Sequence, residues 1–169
     1  KVAAITRHLK AFSRKSDGKI ESVELQGVIS DAIELFETRR NNVAIVYKKG
    51  PIPSVRANSI RLEQVLVNLI SNALDAVELN DAPSIEIATL ESDATVTISV
   101  KDNGLGIPEE DIPHLFDPFY SRKSSGKGLG LGLSIAYNII KDFGGSIHVE
   151  SVEHQGTEFI VTLQKGTHS

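Results

Sequence analysis

Residues 126–134 read GKGLGLGLS, a glycine at every second position that runs straight into the apolar, helix-like stretch IAYNIIKDFGG at 135–145. Glycine weakens a helix or strand interior by roughly 0.5–1 kcal/mol relative to alanine, so this placement needs a reason. Gly126, Gly128, Gly130 and Gly132 permit φ > 0 and let successive backbone N–H groups converge on an anion where the next helix begins. The pattern is that of a phosphate cradle, with Lys127, Lys123 and Arg122 adding cationic contacts to the same polyphosphate. Leu129 and Leu131, between the glycines, can face the core and fix the loop to the sheet. A flexible hinge is the other reading of such a run, although hinges rarely alternate with leucine so regularly. The spacing excludes two familiar loops. A Walker A loop needs Ser or Thr after its lysine, where Gly128 stands, and the G-x-G-x-x-G fingerprint needs one residue more than Gly128–Gly132 supplies.

Working outward, the chain has 169 residues, 40% hydrophobic and 24% charged, enough for one core, or one domain with an appendage. A net charge of -4 with scattered basic residues gives no electrostatic footprint for nucleic acid. Without cysteine, disulfides and thiolate metal sites are excluded. No apolar run approaches the ~20 residues that span a bilayer. Methionine is absent and Lys1 lies in a helix-like stretch, so we expect a piece of a longer chain.

Upstream, Val2, Ile5, Leu9 and Phe12 form a narrow apolar seam ended by Asp17-Gly18. It fits the stub of a helical hairpin or coiled coil, and equally a terminal helix packed on its own domain. IESVEL is short and extended, and GVISDAIELFETRR carries Val28, Ile29, Ala32, Ile33 and Phe36 on one helical face. NVAIVYKKG reads as a strand stopped by Gly50-Pro51. NSIRLEQVLVNLISNALDAV, capped by Asn58 or Ser59, reads as a helix with Leu62, Val65, Leu66, Leu69, Ile70, Ala73 and Val77 inward. SIEIATL and ATVTISVKD form a hairpin, and GGSIHVESV with GTEFIVTLQ a final strand pair. Residues 103–127 lack periodicity and fit a lid. Helices interspersed with hairpins predict an α/β sandwich, a mixed sheet covered by helices on one face.

Two further constellations can carry chemistry. Asn68, Asn72 and Asp75 recur at i, i+4 and i+7, one polar stripe of a helix. On pattern alone a solvated back face is an equal alternative. Asparagine costs a helix about half a kcal/mol relative to alanine, however, and its neutral oxygen suits Mg²⁺. Asp102 ends a strand ahead of Gly104 and Gly106. It can accept a hydrogen bond from an exocyclic amine such as that of adenine, although Asp-Asn-Gly is also an ordinary turn.

The segments EQVLVNLISNALDA, DNGLGI, LFDPFYSRK and GKGLGLGLSIAYNIIKDFGGSI resemble, in order and spacing, the asparagine box, first glycine box, phenylalanine box and second glycine box of sensor histidine kinases. The wording of the boxes is most similar to kinases of the C4-dicarboxylate-sensing and nitrogen-regulation type. The resemblance covers residues 58–163 and implies the ATP-binding domain of the superfamily shared with gyrase, MutL and heat-shock chaperone ATPases. It implies a two-layer α/β sandwich, the Bergerat fold, over 19–169, with residues 1–18 as the end of the dimerisation and phosphoacceptor hairpin. By the same resemblance Asn72, helped by Asn68, binds Mg²⁺, and Asp102 reads the adenine amine. Gly104, Gly106 and Ile107 shape the adenine pocket, and Gly128, Gly130 and Gly132, with Leu129 and Leu131, close over the phosphates. Lys123 and Lys127 meet the phosphate tail, Phe116 and Phe119 anchor the lid, Asp75 joins the ATP-binding set, and Asn68, Asn72 and Lys123 are the catalytic residues.

The resemblance further implies transfer of the ATP γ-phosphoryl to a histidine on a dimerisation helix, and relay to a response regulator. The parent would be a homodimer, its catalytic part cytoplasmic. Hydrolysing members of the superfamily place a glutamate four residues before the Mg-binding asparagine. Here that position is Asn68, and Glu63 lies nearly opposite the stripe. His8, His114, His148, His154 and His168 do not stand in the family's phosphoacceptor setting, so the acceptor is expected upstream. A phosphate-releasing ATPase and a non-enzymatic interaction module are the alternatives.

Overall fold

The computed structural model describes residues 18–39, 41–48, 50, 53–120 and 132–167. Strands β1 (Glu21–Glu24), β2 (Ala44–Lys48), β3 (Ser54–Ala57), β4 (Ser84–Glu91), β5 (Thr95–Asp102), β6 (Ser146–Val152) and β7 (Gly156–Gln164) alternate with helices α1 (Leu25–Glu34), α2 (Ser59–Ala76) and α3 (Gly132–Asp142). The main sheet has the order β2-β4-β5-β7-β6, and β1 pairs with β3 in a small second sheet. Only β2 and β4 run parallel; the other neighbours are antiparallel. The mixed α/β architecture is the one expected.

Periodicity explains which face is covered. In β5 the inward residues are Val96, Ile98 and Val100, and in β7 they are Phe159, Val161 and Leu163, all buried. These register directly opposite one another, Val96 with Leu163 and Val100 with Phe159. Helix α2 lays Leu62, Val65, Leu66, Leu69, Ile70 and Ala73 on that face, while α3 contributes Ala136, Ile139 and Ile140. Each such leucine or isoleucine stabilises by about 1.5–3 kcal/mol on burial, so this layer dominates the stability. The α1 stripe of Leu25, Val28, Ile29 and Ala32 completes it. This helix ends at Glu34, earlier than its pattern predicts, and Phe36 is buried from the turn beyond.

Helix α2 starts where Asn58 stops the extended chain. The Asn58 carboxamide oxygen accepts from the Arg61 N–H at 3.1 Å, and its Nδ2 donates to the Lys19 carbonyl at 3.1 Å. Strand β3 was not predicted. It is four residues long and pairs with β1 across 30 to 36 positions of sequence, which no local pattern announces. In the stretch expected to lack regular structure, Glu109–His114 forms a 3₁₀ helix. No described helix is long and apolar enough to cross a membrane. The seam at residues 2–12, the boundary near residue 18 that rests on it, and most of the glycine run lie outside the described residues.

Candidate functional site

At one end of the main sheet the inward apolar row turns polar. Asp102 of β5 registers with Thr157 of β7, and Thr157 registers with Ser151 of β6. Each continues the inward alternation of its strand in place of another aliphatic residue. Asp102 is 5% exposed. Its Oδ1 accepts the Gly104 N–H at 2.9 Å, and the carboxylate also accepts from the Thr157 backbone N–H. Burial pushes the Asp102 carboxyl above its ordinary value, and the hydrogen bonds from Gly104 and Thr157 pull it part of the way back. A carboxylate so placed is costly unless donors meet it, and the backbone N–H groups of Gly104 and Thr157 do so.

The loop after Asp102 is pressed against α2 and the β6–β7 turn. A Cβ on Gly104 would stand 2.2 Å from the Ala76 carbonyl oxygen, and the Leu105 N–H donates to that same oxygen at 3.0 Å. Gly106 adopts φ +68, and a Cβ there would strike the Val152 carbonyl oxygen. Glycine is therefore required at both positions for different reasons, close approach at one and left-handed backbone at the other. Asn103 pins the loop from below: its Oδ1 accepts the Ser84 N–H at 2.9 Å and its Nδ2 donates to the Ala82 carbonyl at 2.8 Å. Ile107 packs against the core.

The polar stripe of α2 lies half-buried beside this loop. Asn68 Nδ2 donates to the Gly132 carbonyl at 3.0 Å, which joins the stripe to the first residue of α3, where the glycine run ends. Asp75 takes a different neighbour: its Oδ1 lies 3.2 Å from Arg39 Nη2, and Arg39 Nη1 reaches Ser71 Oγ at 3.5 Å. Glu63 turns away from the stripe. Burial and then the nearby Asp31 carboxylate of α1 raise its carboxyl above the ordinary value, so it faces α1 as the helical spacing predicts.

Phe116 is packed, 5.4 Å from the Tyr137 ring of α3 and edge-on to Phe159 at 6.5 Å. Phe119, expected to anchor alongside it, is 76% exposed with φ +67. Of the two rings, Phe116 is the packed one. Lys123, Lys127, Gly128, Leu129, Gly130 and Leu131 lie outside the described residues, as does Arg122.

Sequence reasoning missed Ser151 and Thr157. A signal was present: each is a polar residue at an inward position of an otherwise apolar alternation, as Asp102 is. A cation at the stripe would take the carboxamide oxygens of Asn68 and Asn72, donors of the hard, neutral kind that Mg²⁺ accepts. Among the described residues no group of three or more His, Cys, Asp or Glu could hold a metal. Oxygens of a phosphate chain would have to complete the shell.

Comparison with known proteins identifies the family and the fold. Residues 57–167 match the family model of histidine kinase-, DNA gyrase B-, and HSP90-like ATPases. The C4-dicarboxylate transport sensor protein DctB of Rhizobium meliloti is 37% identical over 168 residues, covering 98% of this chain and 27% of that protein. DctB of Pseudomonas aeruginosa is 36% identical over 153 residues, 88% of this chain and 25% of its own length. The chain thus spans about a quarter of the length of these relatives. A solved catalytic domain of the histidine kinase ThkA superposes with a TM-score of 0.76 at 33% identity, covering 88% of this chain and 99% of that domain.

Proposed function

Because this chain belongs to the family of histidine kinase-, DNA gyrase B- and HSP90-like ATPases, we propose that it holds Mg-ATP with the base at Asp102 and the phosphates between α2 and α3. The fold is that of histidine kinase catalytic domains. In the parent protein the γ-phosphoryl passes to a histidine on a dimerisation helix, then to an aspartate of a response regulator. That parent is a homodimer, and this part of it works in the cytoplasm.

The observation that carries the reading is the contact between Asn68 and the Gly132 carbonyl. It sets the carboxamides of α2 beside the start of α3, so that one ligand can meet both. Asp102 orients the base by accepting from its exocyclic amine, while Gly104 and Gly106 let the loop approach the flat ring. Asn72 and Asn68 would hold Mg²⁺, which when bound neutralises charge on the phosphates. Lys123 and Lys127 meet the phosphate tail, and the glycine run with Leu129 and Leu131 closes over it. Phosphoryl transfer passes through a loose transition state and depends chiefly on position and charge. The P–O bond to the β-phosphate breaks, a P–N bond forms to a neutral imidazole nitrogen, and ADP leaves.

Hydrolysis is disfavoured by what stands on α2. Asn68 occupies the place from which a base would activate water, but a neutral carboxamide cannot take up the proton, and its Nδ2 donates to the Gly132 carbonyl. Glu63 faces α1. The test combines this chain with a longer one carrying the upstream helix, in the presence of [γ-³²P]ATP and Mg²⁺. Acid-labile label on a histidine of the longer chain is expected. Steady phosphate release without label would establish the ATPase reading instead.

A further inference from the structure

A hydroxyl group has one proton to give and two positions that accept. Ser151 Oγ gives its proton to the Gly156 carbonyl at 2.9 Å and accepts the Ile107 N–H at 2.8 Å. The third contact, with Thr157 Oγ1 at 2.9 Å, is then satisfied only with Thr157 as the donor. The hydroxyl of Ser151 is saturated, and it joins three segments: the exit of the 103–107 loop, its own strand β6 and the start of β7.

The same loop is held at its other end by Asp102 and Ala76, through the N–H groups of Gly104 and Leu105. In the middle, the His154 N–H donates to the Leu105 carbonyl at 2.6 Å. Ser151 is thus the side-chain support for the far end of a loop whose near end carries the carboxylate. That matters for the choice of base. A carboxylate accepts equally from the C6 amine of adenine and the C2 amine of guanine, so it selects between them only if the ring is held in one position. The loop that bears Gly106 and Ile107 provides that hold.

We propose that Ser151 is a positioning residue for adenine selectivity: by fixing Ile107 and Thr157 relative to Asp102, it prevents the pocket from accepting guanine. The proposal rests on the nucleotide assignment above. With Ser151→Ala the Ile107 N–H and the Thr157 hydroxyl lose their partner, the loop relaxes, and the ring can slide.

The experiment measures the dissociation constants of Mg-ATP and Mg-GTP by calorimetry for the wild-type chain and for Ser151→Ala, Ser151→Cys and Ser151→Thr, with melting temperatures alongside. Loss of a half-buried hydrogen-bond partner predicts about a tenfold weakening for ATP in Ser151→Ala, with GTP within about twofold. Ser151→Cys keeps the volume and donates weakly, so a smaller fall in the ATP:GTP ratio is expected even if the alanine variant folds poorly. Ser151→Thr keeps the hydroxyl and restores the ratio. Equal weakening of both nucleotides, in step with melting temperature, would overturn the proposal while leaving the nucleotide assignment standing. Absence of ATP binding by the wild-type chain would overturn both.

Discussion

The two ends of the candidate site are built differently. At the base end Asp102 is buried, its carboxylate is gripped by Gly104 and Thr157, and the adjoining loop is bonded to α2, β6 and the β6–β7 turn. At the phosphate end the side chains of Asn68, Asn72 and Asp75 stand half-buried on one helix surface, and Asn68 meets α3 through a hydrogen bond of 3.0 Å to the Gly132 carbonyl. The first end is pre-organised by backbone packing, so the selectivity proposed for it would be a property of the fold. The second is a set of donors whose geometry a ligand can complete. Changes at the base end should therefore have the larger effect on nucleotide affinity, and changes at the phosphate end should be milder.

The largest expected effect is at Asp102. Asp102→Asn removes the charge that the proposed function sets against the base amine and should weaken Mg-ATP on the order of a hundredfold by calorimetry. Stability should move the other way. The folded protein raises this carboxyl above its unfolded value, so ionised Asp102 destabilises the fold. That burden is absent below the unfolded value and grows as pH rises through the folded one. The variant should consequently lose part of the wild-type decline in melting temperature as pH rises from acid towards neutral. A parallel collapse of stability and affinity would break the distinction between the two ends.

Gly104→Ala comes next. Its Cβ has no room beside the Ala76 carbonyl, so the loop must leave α2. Overpacking of this kind costs about 1–3 kcal/mol, and both melting temperature and ATP affinity should fall. Asn68→Ala, at the phosphate end, should weaken Mg-ATP about tenfold and leave ADP without metal nearly unaffected. A loss as great as that of Asp102→Asn would show the phosphate end to be equally pre-organised. The smallest effect is that of Glu63→Gln. Its raised carboxyl faces Asp31, so neutralising it should lift the melting temperature at neutral pH by no more than about 1–2 °C after solvent screening, with nucleotide affinity unchanged.

The same contrast governs what could be read before the structure. Periods of 3.6 and 2 residues reveal which side of an element faces the core, and these placed the asparagine stripe on α2 and Asp102 at the end of β5. Ser151 and Thr157 stayed hidden because Ser and Thr are unremarked in strands. Only the register of β5, β7 and β6 sets them beside Asp102. Strand β3 escaped for a similar reason, since its partner lies far away in sequence. The pair Phe116 and Phe119 shows the limit of motif reasoning: both rings look alike in LFDPFY, yet one packs on Tyr137 and the other faces solvent.

The central claim is tested most directly by amide spectra of the ¹⁵N-labelled chain during titration with Mg-ATP. The account predicts coincident, saturable shifts at Asp102, Gly104 and Ile107 at one end and at Asn72 and Gly132 at the other. Resonances at Asp102 and Asn72 that stay in place up to millimolar nucleotide would contradict it.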